Sequence, residues 1–595
     1  MATSLAVAAK HGCWYSYLIS PEAAASPPPA ALPIYLGRKS SRGVRSITTA
    51  RSGGLRHADV TSSSESIGSG GDHGYLSVSF PSSLGSRAKL DPNGTLLFSA
   101  LVAAFLAVFA VNLRKSDKDG VEKLPPGPKG LPILGDLLSI GNRPYESLAK
   151  MANKYGPLMT VNFGMVKIVV VSSSEMAEEM LLKHDEALSG RPALEAVVAE
   201  EDYLLSMAWS SGQSSIWKKL RKITNTELFT PRRLDSFQSI REETMRKMIN
   251  KVDESMQQGE SGVQLARLVF NSILSILSNT LFSRDMFDDT TEELKDLIKN
   301  LIELVSKPNV ADYIPFLKPF DPQGISARLK VLYKRIKSVL EDIITKRVES
   351  RRGGSSARKG DFLDLLLDYS EEHGSGELSD RNIRVLLMDL IMGGTHTTTV
   401  LIEWTMAELL RNPPALAELK RQLSLVSPPG KLLTEKETFQ VPYLLAIVKE
   451  TLRLHPVAPF LMPHLAEEGV VIDGYTIPKG TQVLINAWNM FRDPRHWEDP
   501  STFKPERFME QDIALQGKDF RYIPFGFGRR VCPGSNLAVR VVFLLVANLV
   551  HSFEWEAGGE VDMTDGFGMT LYKLRPLVVK PLTRYVAQPA AGVGV

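Results

Sequence analysis

Cysteine is almost missing from this chain: 595 residues hold two, Cys13 and Cys532. With no Cys-x-x-Cys pair and no His/Cys cluster, a structural zinc site is disfavoured. If a targeting segment carrying Cys13 is removed, no internal disulfide can form, which suits a cytosol-facing domain. Neither sign of charge dominates. Seventy basic and 67 acidic residues leave a net +3, too little for a broad nucleic-acid face. Acids are scarce in the first 60 residues, where only Glu22 and Asp59 occur among Lys10, Arg38, Lys39, Arg42, Arg45, Arg51 and Arg56. That composition matches an organelle transit peptide of plastid type, with a disordered tail as the alternative. Internal repeats and long linkers are lacking after residue 133.

What is present divides the chain. Residues 1–93 form a transit-peptide-like extension whose Ser/Gly-rich end, 61–93, is a linker. Residues 94–114 form a transmembrane anchor, since 95–113 carry no charge and are just long enough to span a bilayer. Arg114, Lys115, Lys118 and Lys123 outweigh Arg87 and Lys89, which puts the C-terminal bulk on the cytoplasmic side. Residues 115–132 hold a linker and a proline-rich hinge, LPPGPKGLP at 124–132, too rich in proline for a helix or central strand. Residues 133–595 read as one large domain, mainly α with few short strands. Apolar spacing of three and four (Leu265, Leu268, Val269, Ile273, Ile276, Leu277) predicts helices before a surface loop at 351–360. Strands are predicted at 166–171 and 470–477.

The chain is organised around Phe525-Gly-Phe-Gly-Arg-Arg-Val-Cys-Pro-Gly534. Gly526, Gly528 and Gly534 free the backbone to turn amides inward. A helix beginning near Ser535 places its N-terminus by the Cys532 sulfur and favours thiolate. Arg530 can pair with an acidic group of whatever the thiolate holds. A soft thiolate beside arginines suits a haem iron and its propionates; a glycine-rich turn around a structural cysteine is the alternative. Elsewhere Trp217 and Arg221 share a helix face, as do Glu450 and Arg453. A long helix from 384 to 410 is predicted to be interrupted at Gly393-Gly394-Thr395-His396-Thr397-Thr398, either for close packing or for close approach of something to the backbone.

Phe525, Gly528, Arg530, Cys532 and Gly534 in Phe-x-x-Gly-x-Arg-x-Cys-x-Gly resemble the haem-binding loop of the cytochrome P-450 family. Four further stretches fall in the family's order, and the resemblance runs from about 124 to 575: the proline hinge, Trp217-x-x-x-Arg221, Gly393-Gly394-x-x-Thr397-Thr398, and Glu450-x-x-Arg453 followed by Pro505-Glu506-Arg507-Phe508. The loop looks most like that of the large plant group. This implies a cytochrome P-450 fold, with haem b between the long central helix and the Cys-loop helix, and Cys532 as axial ligand of the iron. It implies propionate contacts from Trp217, Arg221 and His464. It makes Thr397 a hydrogen-bond donor during oxygen activation, with Thr398 beside it. His396 stands where the family carries an acid, so it is expected to alter proton delivery. Glu450, Arg453 and Arg507 are implied to be structural. Phe460, Leu461 and Met569 are expected near a hydrophobic pocket, core packing being the alternative. The resemblance further implies NADPH-derived electrons from a cytochrome P-450 reductase or a plastid ferredoxin system. The membrane is the endoplasmic reticulum or the plastid envelope, and the substrate a small hydrophobic plant metabolite. Rival readings are a haem-thiolate isomerase or dehydratase, a haem sensor, and a cysteine hydrolase. Thr397 and the uninterrupted loop speak against the first, and the missing His/Asn pair against the last.

Overall fold

The computed structural model describes residues 123–287, 292–352, 358–374 and 376–584. The 1–93 extension, the 94–114 anchor and the linker up to 122 lie outside the described residues, as do 353–357 of the expected surface loop. Helices dominate: α1 (Pro144–Tyr155), α2 (Ser215–Ile223), α3 (Gln238–Gln257), α4 (Leu265–Phe282), α5 (Glu292–Val305) and α6 (Ile325–Arg352). They are followed by α7 (Phe362–His373), α8 (Asp380–Arg411), α9 (Pro413–Val426), α10 (Pro442–Leu454) and α11 (Ser535–Ser552). The helices α4, α8 and α11 are apolar and long enough to cross a membrane. Yet 72%, 61% and 78% of their apolar windows are buried inside the domain, so they are core helices.

The helix α8 has 32 residues, about 48 Å at 1.5 Å per residue. Ser379 and Asn382 cap its start reciprocally, and Pro413-Pro414 follow its end. The interruption expected at 393–398 does not occur. The hydroxyls of Thr395, Thr397 and Thr399 donate to the carbonyls of Ile391, Gly393 and Thr395 at 2.6, 2.7 and 2.9 Å, so the threonines are satisfied within an unbroken helix. The two glycines serve different ends. A Cβ at Gly394 would come within 2.9 Å of Leu277 on α4, whereas one at Gly393 would meet nothing within 4 Å. Gly394 is small for packing; Gly393 leaves room in the cavity described below.

The largest sheet has the order β1-β2-β7-β4: β1 (Leu158–Phe163), β2 (Val166–Val171), β4 (His464–Leu465) and β7 (Gln482–Ile485). The pair β2/β7 is parallel and the other two are antiparallel. A short β3 (Val263–Gln264) joins another sheet. The strand expected over 470–477 is instead a hairpin, β5 (Val470–Ile472) and β6 (Tyr475–Ile477). Its turn residues Asp473 and Gly474 both have positive φ, 50° and 73°, as a two-residue hairpin turn requires. Toward the C-terminus β8 (Phe553–Ala557) pairs with β11 (Val578–Arg584), while β9 (Asp565–Phe567) and β10 (Leu571–Lys573) form a hairpin.

The described part of the hinge is tied to the domain. Thr160 N donates to Pro126 O and Thr476 N to Lys123 O, each at 2.9 Å. A Cβ on Gly127 would lie 1.8 Å from the Thr160 oxygen. The chain therefore enters the domain along the sheet rather than as a free tether.

Candidate active site

A cavity of about 480 Å³ lies among α2, α4, α8, the Cys loop and the N-terminal end of α11. Such a volume is within the range of small-molecule and cofactor sites. Cys532 lines it. The loop before it is turned by Gly526 and Gly528, whose φ values of 73° and 72° are left-handed. A Cβ at Gly528 would also press to 2.6 Å from the Asp185 carboxylate, which accepts from Arg529 N and Nε. Gly534 differs from expectation: its φ is −86° and a Cβ there would meet no atom within 4 Å, so no backbone strain demands glycine. It borders the cavity directly. Cys532 N donates to Phe525 O at 2.9 Å, closing the loop.

Burial pushes the Cys532 thiol up, and the amides of Gly534 and Ser535 together with the Arg221 charge only partly oppose it. The amides at the helix start favour the thiolate, as expected, but burial outweighs them. A cation bound at the sulfur would supply the missing stabilisation. Among the described residues no group of three or more His, Cys, Asp or Glu could hold a metal ion, so Cys532 would act as a lone protein ligand.

The same cavity is bordered by the guanidinium groups of Arg191 and Arg530, whose charge Glu467 and Asp185 offset only in part at Arg530. Arg530 donates to Ser189 O, Met207 O and Ser210 O, and its pKa falls to about 10 through burial and the nearby Arg221. Arg191, which no motif singles out, donates from Nη1 to Met462 O and Pro463 O at 3.0 and 2.7 Å. Its Nε is buried without a partner, and burial with the Arg530 charge lowers its pKa to about 9. His464 on β4 holds Leu188 O at 2.7 Å through Nδ1; burial and the same two arginines keep it neutral, with a pKa of about 3. An anion placed between Arg191 and Arg530, next to the neutral His464, would relieve the repulsion of the two guanidinium groups and satisfy the orphaned Nε. A haem propionate has that charge, so the residues present fit the group.

Trp217 borders the cavity, as expected. Its indole N–H is spent on Met207 O at 3.1 Å. Arg221 lines the cavity and donates from Nη2 to Val531 O at 2.6 Å, one residue before the cysteine.

The face of α8 supplies Gly393, Gly394, His396, Thr397 and Thr398 to the lining. Thr397 donates its hydroxyl hydrogen to Gly393 O at 2.7 Å, which leaves its lone pairs free to accept in the cavity. The Nε2 of His396 lies 2.9 Å from Thr570 Oγ1, on the turn between β9 and β10. Burial keeps the His396 ring neutral, its pKa lowered to about 4. Leu461 and Met569 border the cavity, but Phe460 does not: it packs in a separate core cluster, edge-on to Phe567 at 5.8 Å. Most remaining lining is aliphatic, with Ile273, Ile276, Leu281, Ile302 and Val305 among it.

Glu450 and Arg453 form a bidentate pair on α10 at 2.7 and 2.8 Å, and Arg507 Nε joins at 3.1 Å. All three are buried and none borders the cavity. Arg453 also donates to the carbonyls of Phe491 and Pro500, so the network fixes the chain that leads to the Cys loop.

Comparison with known proteins agrees with this geometry. Residues 125–580 match the family described as Cytochrome P450. Geraniol 8-hydroxylase of Catharanthus roseus is 40% identical over 470 residues, which is 78% of this chain and 94% of that protein. Geranylhydroquinone 3''-hydroxylase of Arnebia euchroma and ferruginol synthase of Isodon rubescens are each 38% identical, over 495 and 494 residues, covering 82% of this chain and 99% of each relative. A cysteine, a threonine-bearing helix and two arginines around one cavity, and a match across most of the chain, converge: the protein belongs to the cytochrome P450 family of haem-iron monooxygenases, in its plant branch.

Proposed function

We propose that the protein hydroxylates a small terpenoid with haem b held by Cys532, using NADPH-derived electrons passed on by a reductase. The observation that carries this reading is the cavity itself, aliphatic on most sides and bounded by Cys532 at one wall and Thr397 at another. The relatives named above act, by their names, on geraniol and geranylhydroquinone or yield ferruginol, and this supports a terpenoid substrate. Bound there, the haem supplies reductive activation of dioxygen, the thiolate's electron donation favouring O–O cleavage. One oxygen atom enters the substrate C–H bond and the other leaves as water.

This chain's residues do the rest. Arg191, Arg530 and His464 hold the propionate edge, and Arg221 adds positive charge near the sulfur. Gly393 keeps the cavity wall at α8 free of a side chain, which would leave room for a bound group there. Thr397 accepts a hydrogen bond at Oγ1, Thr398 adds a second hydroxyl, and His396 holds a proton without carrying charge. The aliphatic wall excludes water and orients the substrate. Glu450, Arg453 and Arg507 serve the fold. Residues 94–114 anchor the domain to a membrane, the endoplasmic reticulum or the plastid envelope, with the reductase or a ferredoxin system alongside it.

The test is turnover of an acyclic monoterpenol and a diterpene by purified protein with NADPH and plant reductase under ¹⁸O₂. One labelled oxygen per product, dependent on the reductase, supports the reading. Product formed without reductase or O₂ would assign an isomerase or dehydratase instead. Imaging a fluorescent fusion with and without residues 1–60 tests the compartment.

A further inference from the structure

The acid expected on α8 is replaced by His396, and what takes over its surroundings comes from far along the chain. The ring's Nε2 meets Thr570 Oγ1 at 2.9 Å, across 174 positions of sequence. Both residues border the cavity, as do Thr397 and Met569. No charged group perturbs the ring; burial is the cause of its lowered pKa, and its other nitrogen has no protein partner among the described residues. A carboxylate at this point would be buried without a cation, which is costly, whereas a neutral imidazole bound to a hydroxyl is not. At rest the Thr397 hydroxyl donates to Gly393 O at 2.7 Å, so a proton it hands on must be resupplied by a neighbouring group.

The hairpin that carries Thr570 is fixed to α8 along one line. Trp404 Nε1 donates to Leu571 O at 2.9 Å, and Leu577 N donates to Glu403 Oε1 at 2.7 Å. His396 and Trp404 are eight residues apart and so lie on the same face. Thr570 is thus presented to the ring by a rigid element whose neighbouring residue, Met569, borders the substrate space.

We propose that His396 and Thr570 act as one hydrogen-bonded relay in place of the helix acid, making Thr570 a positioning residue that joins the C-terminal hairpin to proton delivery at Thr397. A proton passing through enters one ring nitrogen as another leaves the opposite nitrogen. The ring stays neutral and only its tautomer reverses, while the Thr570 hydroxyl likewise gains one proton and gives up one. The inference rests on the monooxygenase reading and deepens it: proton supply becomes sensitive to how substrate seats the hairpin.

Three variants of the haem-loaded enzyme test it: Thr570→Val, Thr570→Ser and His396→Gln. Glutamine can still bond Thr570 but cannot pass a proton through. Two readouts are taken, peroxide released per NADPH consumed and hydrogen–deuterium exchange across residues 565–573. Thr570→Val should raise peroxide release about fivefold, the worth of one neutral hydrogen bond, and loosen the hairpin. Thr570→Ser should restore both readouts. His396→Gln should raise peroxide release while leaving exchange protection as in the parent. Peroxide release unchanged in His396→Gln, or in Thr570→Val despite a loosened hairpin, would reduce the bond to packing and overturn the relay. Failure of the parent enzyme to oxygenate any substrate would instead count against the monooxygenase reading, so the two failures are separable.

Discussion

The indole N–H of Trp217 and Nη1 of Arg530 donate to the same atom, the Met207 carbonyl oxygen, each at 3.1 Å, with the guanidinium carbon 4.7 Å from the indole ring centroid. One carbonyl therefore binds α2 and the Cys loop to the 195–209 segment that borders the cavity. Trp217→Phe keeps the ring face under Arg530 and removes one hydrogen bond, at an expected cost of about 1 kcal/mol. Trp217→Ala also empties a core site and is expected to cost about 3–5 kcal/mol, with a lower haem-to-protein ratio. Thermal unfolding with the absorbance ratio of haem to protein checks both.

Glu450 faces two buried guanidinium groups. Glu450→Ala leaves Arg453 and Arg507 without their carboxylate, an expected loss of about 3–5 kcal/mol. Since the three do not border the cavity, the defect should appear as poor folding and haem incorporation. The fraction that does load haem should turn over normally.

Arg191→Ala removes a guanidinium whose Nε has no protein partner. If a propionate satisfies it, one charge-assisted hydrogen bond of about 1.5–3 kcal/mol is lost, and haem should transfer to apomyoglobin roughly 10- to 100-fold faster. Arg191 also donates to Met462 O and Pro463 O, so the protein without haem should lose stability too; the haem-transfer rate of Arg191→Lys, which keeps the charge but not the fork, separates the two effects.

Asp389 on α8 accepts from Ser206 Oγ at 2.8 Å and Met207 N at 2.7 Å. Burial raises its pKa from 3.8 to about 6. Its folded state prefers the protonated form, so its contribution to stability is full below pH 3.8 and is lost as pH rises through about 6. Asp389→Asn mimics the neutral group. Its stability relative to the parent should therefore improve by about 1 kcal/mol between pH 5 and pH 7.5, whatever its offset at pH 5. Denaturant melts at the two pH values measure this; a difference that shrinks with rising pH would refute it.

Gly127→Ala drives a Cβ into the Thr160 carbonyl oxygen, and should lower thermal stability by about 1–3 kcal/mol or detach the hinge from β1. Raised proteolysis around residues 123–130 would report the second outcome.

How much of this was legible in the sequence depends on range. The Cys loop, α8 and the Glu450–Arg453 pair are local patterns, written within ten residues, and each is found where it was expected. The Asp473-Gly474 turn is local as well, and its dipeptide is a hairpin signal that the strand expectation over 470–477 passed over. The unbroken α8 was misjudged because glycine and threonine weaken an isolated helix, whereas here threonine hydroxyls bond back to the helix and Leu277 packs on Gly394. Arg191 carries no local signal, and Thr570 falls in the 567–571 stretch that resembles the family's pocket loop without itself being singled out. An arginine in a loop and a threonine in a short hairpin gain meaning only when the fold brings them beside Arg530 and His396, hundreds of positions distant along the chain.

The direct test of the central claim is the absorbance spectrum of the reduced, carbon-monoxide-treated protein, with Cys532→His alongside it. The parent should show the long-wavelength Soret band of thiolate-bound haem, and the histidine variant a band at shorter wavelength. A folded parent lacking that band, or a variant that retains it, would contradict the assignment of Cys532 as the ligand.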